Sequence, residues 1–221
     1  MAGNDERGDA SRRQANERLE ARFRGLPHSP AAERNKRAIL EVLQRVLPAA
    51  GKVLEIASGT GQHAVHFAAG LPHLVWRPTD ADPQLLDVIR RFTDAAGLPN
   101  MESPQRLNVL EQPWPVRRAD AVVCINMIHI APWSATEGLL LGAAAVLPSG
   151  GPLVLYGPFR RSGCSTAPSN EAFDASLKAR DPDWGVRDLE EVAVLAAAYG
   201  MPFEELVEMP ANNVAVVFRK A

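Results

Sequence analysis

Residues 52–61, KVLEIASGTG, decide the fold of this chain. The first half, KVLEI, is a short apolar run of the kind that forms a buried strand, and Gly59 and Gly61 in the second half allow a sharp turn. The residues that follow, QHAVHFA (62–68), carry the apolar side chains of a helix. A strand that passes through a glycine-rich turn into a helix is the first unit of a doubly wound α/β sheet.

The same alternation of apolar runs and helical patterns continues towards the C-terminus. Further strands are predicted at residues 75–79, 105–109, 121–125, 153–156, 203–208 and 214–219. The last two are joined only by residues 210–213, too few for a crossover helix, so this pair must be antiparallel. The sequence therefore predicts a doubly wound, mostly parallel seven-stranded sheet whose last strand is antiparallel. Ligands of such sheets bind outside the carboxyl ends of the strands, where the strand order reverses.

Two segments depart from this alternation. Residues 1–27 are polar and rich in Arg and Glu, which predicts a flexible arm outside the core. Residues 157–187 contain Pro, Gly, Ser and one short helical patch around Phe173 and Leu177, which predicts a lid-like insertion over one end of the sheet. We therefore expect residues 28–221 to form a single domain.

Composition and charge exclude several classes of protein. The chain has 24 basic and 26 acidic residues and a net charge of −2, which argues against binding nucleic acid by neutralising phosphates. Cys124 and Cys164 are too few for a disulfide framework, and no group of residues has the spacing of metal ligands, so no metal is expected. The N-terminus lacks an apolar stretch, and Pro and Gly interrupt the uncharged run at 138–159. We expect a soluble, cytoplasmic protein that does not associate with membranes.

The glycine turn and one later carboxylate indicate an adenosine-containing cofactor. Residues 59–64, GTGQHA, have the G-x-G-x-x-A spacing of a dinucleotide fingerprint. Asp80 follows at the end of the second predicted strand, where a carboxylate can accept hydrogen bonds from both ribose hydroxyls. The alternative for Asp80 is a turn residue at the entry of a helix, but Asp82 already fills that position.

Glu55 distinguishes between the possible cofactors. It lies four residues before Gly59, a poor position beside a pyrophosphate but a suitable one beside a cation. S-adenosylmethionine carries a sulfonium and an ammonium and no phosphate, so it is the favoured cofactor. A nicotinamide-dependent oxidoreductase remains an alternative, because the glycine turn and Asp80 would serve it too, although the chain has no Tyr-x-x-x-Lys signature. A second alternative is a protein that binds S-adenosylmethionine without catalysis.

Several motifs then carry a resemblance to a known family. They are AAERNK (31–36), LEIASGTGQHAVHFA (54–68), WRPTDAD (76–82), CINMIHIAP (124–132), TEGL (136–139), YGPF (156–159), SNEAFD (169–174), DWGVRD (183–188) and MPANN (209–213). With these motifs, over residues 29–220, the chain resembles class I S-adenosylmethionine-dependent methyltransferases, and within them a small methyltransferase-like family catalogued as a domain of unknown function. The resemblance implies a Rossmann-like methyltransferase fold.

The resemblance also implies a set of cofactor-binding residues. They are Arg34, Asn35, Glu55, Ala57, Gly59, Gly61, Asp80, Ala81, Asn108, Val109 and Asn126. The end of the first strand would line the methionine half, Asp80 would hold the ribose beside Ala81, and Asn108 would bond the adenine edge. Asn126 would lie nearest the transferred methyl. Arg34 and Asn35 would hold the cofactor carboxylate, and the alternative is that they are exposed polar residues of a helix.

The expected reaction is methyl transfer to a small molecule, most simply to an oxygen nucleophile. Such an acceptor must lose a proton, and His129, three residues after Asn126, is predicted to be the general base. The alternative is a histidine that caps its loop or is hydrogen-bonded inside the lid. Four aromatic side chains are predicted to surround the substrate, with core packing as the alternative. They are Trp133, Tyr156, Phe159 and Trp184.

Overall fold

The computed structural model describes residues 22–221. The predicted flexible arm therefore lies outside the described residues except for 22–27, of which Phe23 and Leu26 pack on the domain. Phe23 stacks on Phe92 with 5.3 Å between the ring centroids, and Leu26 packs against the same apolar cluster. These two side chains cover an apolar edge of the domain, and the flexibility of the arm stays a prediction.

Helices and strands alternate along the chain as predicted. The helices are α1 (Pro30–Val46), α2 (Gln62–Gly70), α3 (Pro83–Ala96), α4 (Trp133–Val146), α5 (Pro168–Arg180) and α6 (Leu189–Ala198). The strands are β1 (Gly51–Ile56), β2 (Leu74–Asp80), β3 (Gln105–Arg106), β4 (Ala121–Ile125), β5 (Pro152–Gly157), β6 (Phe203–Met209) and β7 (Asn213–Arg219). Among the helices of residues 22–221, none has the length and apolar character needed to cross a bilayer.

The seven strands form one sheet in the order β3-β2-β1-β4-β5-β7-β6. Neighbouring strands are parallel from β3 to β5, whereas β7 runs antiparallel to both β5 and β6. This confirms the predicted mostly parallel sheet with an antiparallel last strand. The chain moves outward from β1 to β2 and β3 and then returns to place β4 on the other side of β1. The carboxyl ends of β1 and β4 therefore meet at the topological switch point.

Both faces of the sheet are covered by helices. In β4, Val123 and Ile125 face the layer formed by α1 and α2, whereas Val122 and Cys124 face α4 and α6. Because successive side chains of a strand point to opposite faces, a strand that is covered on both sides is apolar throughout. The uninterrupted apolar run of β4 is explained in this way.

Aspartate side chains cap two helices, at Asp82, where the helix entry was predicted, and at Asp188. Asp82 caps α3 by accepting a hydrogen bond of 2.8 Å from the backbone N–H of Gln84. Asp188 caps α6 by accepting from the N–H groups of Glu190 and Glu191. Each carboxylate satisfies N–H groups that have no partner within the helix.

The third strand is shorter than predicted. It ends at Arg106 instead of continuing to residue 109. The side chain of Asn108 accepts a hydrogen bond of 3.0 Å from the backbone N–H of Leu110 and so turns the chain away from the sheet. Asn side chains commonly compete with strand pairing in this way.

Candidate functional site

The turn after β1 leaves its backbone open to the carboxyl edge of the sheet. Ala57, Gly59 and Gly61 all have positive φ angles, of 54°, 58° and 81°. No heavy atom lies within 4 Å of the position that a Cβ on Gly59 would take, so the space beside it is free. A Cβ on Gly61 would lie 3.2 Å from Cα of Ile89, because α2 and α3 approach closely there. Gly59 thus gives access to the backbone, and Gly61 permits helix packing.

Asp80 joins this turn at the end of β2. Its Oδ2 accepts a hydrogen bond of 3.0 Å from the N–H of Gly59, and its Oδ1 accepts one of 3.1 Å from the N–H of Asp82. The residue is only 6% exposed. Burial raises the pKa of Asp80, although the backbone N–H groups of Asp82, Gly59 and Ala81 favour the charged form. The structure therefore brings together the glycine turn and the predicted ribose-binding carboxylate.

Glu55 does not face this opening. It is buried in the layer beneath the sheet, where its Oε2 accepts a hydrogen bond of 2.6 Å from Nε1 of Trp76. Burial raises the pKa of Glu55 to about 8, although hydrogen bonds from Trp76 and Ser58 oppose the shift. These contacts do not involve a ligand, and the predicted contact of Glu55 with a cationic ligand stays a prediction. Glu55 follows Val53 by two residues, so its side chain points into the same α1–α2 layer, and it is largely neutral at pH 7.

The residues predicted to contact adenine lie at the ends of β2 and β3. Ala81 is exposed at the start of α3, and Asn108 is half-buried. Asn108 also donates from Nδ2 to Glu111 over 3.3 Å. Val109 is buried, and its carbonyl oxygen lies 2.3 Å from the position that a Cβ on Gly138 would take. The contact between this turn and α4 therefore requires glycine at position 138.

Asn126 ends β4 at the switch point, opposite the glycine turn. It is half-buried and has a φ of 61°, a conformation that Asn tolerates better than most residues. Its backbone N–H donates to the carbonyl oxygen of Tyr156 over 2.8 Å, which ties the end of β4 to β5. Residues in sparsely populated backbone conformations cluster at functional sites. Asn126 is therefore held in a fixed backbone conformation at the position where ligands of this fold bind.

His129 is 0% exposed, and its ring contacts the edge of Phe159 with 4.9 Å between centroids. Its Nδ1 accepts a hydrogen bond of 3.3 Å from the backbone N–H of Arg187, so the proton of the neutral ring is on Nε2. Burial, together with the charge of Arg187, lowers the pKa of His129 to about 3. These features argue against the predicted general base, because the ring reaches no solvent and binds a proton weakly. They agree with the alternative of a histidine hydrogen-bonded inside the insertion.

Arg187 holds the loop that carries His129. Its Nε donates to the carbonyl oxygen of Ile128 over 2.9 Å, and its Nη2 donates to that of Ala131. The N–H of Gly185 donates to the carbonyl oxygen of His129 over 3.0 Å. Sequence reasoning missed this contact. Arg187 lies within the quoted DWGVRD motif, but its partners are 56 and 59 residues away, so no local pattern indicates them.

The inserted segment, residues 157–187, has an internal anchor at Asp174 of α5. This buried carboxylate accepts hydrogen bonds from Nη2 of Arg160 and Nζ of Lys178, both at 2.7 Å, and from the N–H of Val186 at 2.8 Å. Burial alone would raise the pKa of Asp174, but these three donors outweigh it and the pKa lies below its ordinary value. One side chain therefore joins the start, the helix and the end of the inserted segment.

The four predicted substrate aromatics are not brought together. Tyr156 packs in the α1–α2 layer, whereas Phe159 belongs to the core on the opposite face of the sheet. Trp133 lies beneath the guanidinium of Arg187 at 5.8 Å, and Trp184 lies beneath that of Arg180 at 4.8 Å. The predicted cluster is therefore wrong. Alternation along β5 directs Tyr156 to the α1–α2 face, which the composition of the motif does not show.

Tyr156 instead belongs to a polar contact with the first helix. The Oδ1 of Asn35 lies 2.7 Å from Nε2 of His63, and the Asn35 side chain also bonds the Tyr156 hydroxyl. Burial lowers the pKa of His63 to about 4, so its ring is neutral. Asn35 thus links α1 to α2 and β5, and Arg34 beside it is exposed. The predicted contact of these two residues with a cofactor carboxylate stays a prediction.

A cavity of about 560 Å³ lies away from the switch point, between residues 23–28 and helices α1, α2 and α3. None of the predicted site residues lines it. Within residues 22–221, no group of His, Cys, Asp or Glu side chains is arranged to hold a metal ion.

The strand order and the antiparallel β7 define the Rossmann-like methyltransferase fold. A family model described as "Protein of unknown function (DUF938)" matches residues 26–220. The chain belongs to this family, which confirms the resemblance seen in its motifs.

Solved structures of methyltransferases share the fold. An O-methyltransferase family protein from Burkholderia thailandensis superposes with a TM-score of 0.72 at 16% identity, over 84% of this chain and 56% of that one. An O-methyltransferase family 2 protein from Planctomyces limnophilus, in complex with apigenin, gives 0.70 at 18% identity, over 84% and 62%. CalO1, a methyltransferase in calicheamicin biosynthesis solved with SAH, gives 0.68 at 18% identity, over 83% and 54%. The chain thus matches little more than half of these proteins.

Proposed function

We propose that this protein transfers a methyl group from S-adenosylmethionine to an oxygen atom of a small molecule. The observation that carries the proposal is the meeting of three features at the switch point of the sheet. They are the open turn at Gly59, the Asp80 carboxylate bonded to it, and Asn126 at the end of β4. The O-methyltransferase descriptions of the neighbouring structures support the reaction type.

The residues at this edge fit the parts of S-adenosylmethionine. Asp80 keeps lone pairs for the ribose hydroxyls beyond its two backbone hydrogen bonds, and the free space at Gly59 allows the ligand to approach the backbone. Ala81 and Val109 would flank the adenine, and Asn108 would bond its edge. The remaining predicted contacts, at Arg34, Asn35, Ala57 and Gly61, belong to the methionine half. Glu55 lies beneath this site, where it is hydrogen-bonded to Trp76.

The chemistry that the bound cofactor supplies is an electrophilic methyl group on a sulfonium. The protein's part is to align the acceptor with that methyl and to exclude water. Asn126 is the polar side chain at the end of β4 and would contact the acceptor. We assign no general base among these residues, because His129 is buried with a low pKa.

One observation favours a second candidate, a nicotinamide-dependent oxidoreductase. The sequence argument against a pyrophosphate depends on a negative charge at Glu55, and this carboxyl group is buried with a pKa of about 8. A neutral Glu55 therefore no longer argues against a pyrophosphate at this turn. The antiparallel β7 and the methyltransferase neighbours still support S-adenosylmethionine.

Isothermal titration calorimetry of the purified protein tests the proposal. Separate titrations use S-adenosylmethionine, S-adenosylhomocysteine and NADH. We expect the first two to bind at one site and to compete with each other, and NADH to give no heat of binding. Binding of NADH without binding of S-adenosylhomocysteine would overturn the proposal in favour of the oxidoreductase.

A further inference from the structure

The ring of His129 is fixed in one orientation and one tautomer. The backbone N–H of Arg187 donates to its Nδ1, the N–H of Gly185 donates to its carbonyl oxygen, and the ring of Phe159 packs against it. The proton of the neutral ring must therefore be on Nε2.

Nε2–H is a buried donor that has no hydrogen-bond partner within residues 22–221. A buried N–H without an acceptor is destabilising, by ~1–3 kcal/mol, so such groups are rare in folded proteins. Among the described residues, Nε2 thus lacks a hydrogen bond, whereas Nδ1 and the carbonyl oxygen of His129 each accept one from the backbone. A nearby acceptor that can turn towards Nε2–H would remove this penalty.

Gly157 shows which acceptor is near. The position that a Cβ on Gly157 would take lies 2.4 Å from Nε2 of His129 and 3.1 Å from Oδ1 of Asn126. Both atoms therefore border the space left by the missing side chain. Oδ1 of Asn126 is therefore an acceptor that borders the same space as Nε2–H, and Gly157 has no side chain to fill that space.

We propose that His129 is a positioning residue whose Nε2–H donates a hydrogen bond to Oδ1 of Asn126 and thereby fixes the Asn126 side chain. With Oδ1 engaged, Nδ2 of Asn126 presents its two N–H donors to the carboxyl edge of the sheet. These two N–H donors favour a methyl acceptor whose atom has a lone pair free to accept a hydrogen bond. The oxygen of an alcohol, a phenol or a carboxylate has such a lone pair. This selection rests on the proposed function, whereas the hydrogen bond itself does not.

Nuclear magnetic resonance of ¹⁵N-labelled protein tests the hydrogen bond, with and without S-adenosylhomocysteine. In the wild-type protein we expect His129 to show the Nε2–H tautomer, with no titration of the ring between pH 5 and 8. The Nδ1–H tautomer, or a titration in this range, would overturn the inference. These spectra need no variant and no substrate.

Two substitutions separate positioning from proton transfer. His129→Gln keeps an N–H donor near the place of Nε2 but cannot serve as a base, whereas His129→Ala removes the donor. We expect the Asn126 side-chain amide protons to exchange with water about tenfold faster in His129→Ala, the factor that corresponds to ~1.4 kcal/mol. In His129→Gln the rate should stay close to wild type. The matched control is His66→Ala, which removes another histidine whose Nε2 is buried and lacks a partner among the described residues.

Gly157→Ala gives an independent measurement, because its Cβ would enter the space between the two atoms. We expect it to accelerate exchange of the Asn126 amide protons as His129→Ala does. Equal exchange rates in the wild type and all variants would overturn the inference even if S-adenosylhomocysteine binds. Failure of S-adenosylhomocysteine to bind the wild type would overturn the proposed function instead, and the spectra of the free protein would still decide the inference.

Discussion

At the scale of single residues, Asp80 connects the fold to the proposed cofactor. Asp80→Ala should weaken S-adenosylhomocysteine binding by ~1.5–3 kcal/mol, because the ribose hydroxyls lose charge-assisted hydrogen bonds. Calorimetry measures the affinity, and circular dichroism verifies the fold. The control is Asp87→Ala, which removes an exposed carboxylate of α3 that pairs with Arg90. Unchanged affinity in a folded Asp80→Ala protein would remove Asp80 from the site.

Glu55 allows a second prediction at this scale, on stability. Its pKa is about 8 in the folded chain against an ordinary value of 4.5, so the folded chain holds a proton that the unfolded chain releases. The stabilisation is complete below about pH 4.5 and is lost as the pH rises through 8. The loss amounts to at most about 1.4 kcal/mol per pH unit.

Glu55→Gln keeps a neutral side chain at every pH. We therefore expect its free energy of unfolding, relative to that of the wild type, to rise steadily between pH 5 and 8. Urea denaturation at several pH values measures both proteins. Parallel pH profiles for the two would show that Glu55 is ionised in the folded chain.

At the scale of elements, the inserted segment depends on Asp174 for its internal order. Asp174→Asn should accelerate hydrogen exchange across residues 157–187, because the neutral amide binds Arg160 and Lys178 weakly. The control Glu171→Gln changes an exposed residue of the same helix. If residues 157–187 exchange at the wild-type rate in Asp174→Asn, the hydrogen bonds of Asp174 contribute little to the order of this segment.

The role of residues 157–187 as a lid stays a prediction. The inserted segment contacts the loop of His129 through Gly185 and Arg187, so ligand binding at the end of β4 can be transmitted to it. We expect S-adenosylhomocysteine to slow hydrogen exchange of residues 157–187. Identical exchange with and without the ligand, under conditions where calorimetry detects binding, would contradict a lid.

Local patterns explain which elements and which residues the sequence could predict. The apolar run of β4 and the caps at Asp82 and Asp188 are local features, so the structure confirms them. The hydrogen bonds to His129 come from Gly185 and Arg187, more than 50 positions away, and no local pattern shows that a distant segment will bury it. The burial of Glu55 was missed for a related reason, because its sequence position does not show which face of the sheet it points to.

At the scale of the whole molecule, the return of the chain from β3 to β4 brings the site together. Gly59, Asp80 and Asn126 are separated in sequence, but β1, β2 and β4 lie side by side and end at the same edge. The doubly wound sheet was predicted from the alternation of strands and helices, and the resemblance to class I methyltransferases grouped these three residues; the strand order itself comes from the structure. The same packing buries several ionisable groups in neutral form, and this determines how the whole fold responds to pH.

Three histidines, of which His129 is buried and His63 and His66 are half-buried, contribute to the response to acid. Burial lowers the pKa of His63 and His66 to about 4 and that of His129 to about 3, against an ordinary value of 6.5. The unfolded chain therefore takes up protons below pH 6.5 that the folded chain does not bind. The stabilisation is complete above about pH 6.5 and is lost as the pH falls towards 3. Glu55 acts in the opposite direction, since its contribution falls as the pH rises.

Between pH 4.5 and 6.5 the three histidines change the free energy of unfolding more than Glu55 does, so stability rises with pH. Above pH 6.5 the loss of stability from Glu55 remains. We therefore expect the melting temperature to be highest near pH 6.5 and to fall more steeply on the acid side. Calorimetric scans from pH 4 to 8.5 measure this profile. His129→Gln removes one titrating group, so its melting temperature should fall less between pH 6.5 and 4, whereas the exposed control His73→Gln should follow the wild type. A wild-type melting temperature that stays constant or rises below pH 6 would mean that these rings are charged in the folded chain.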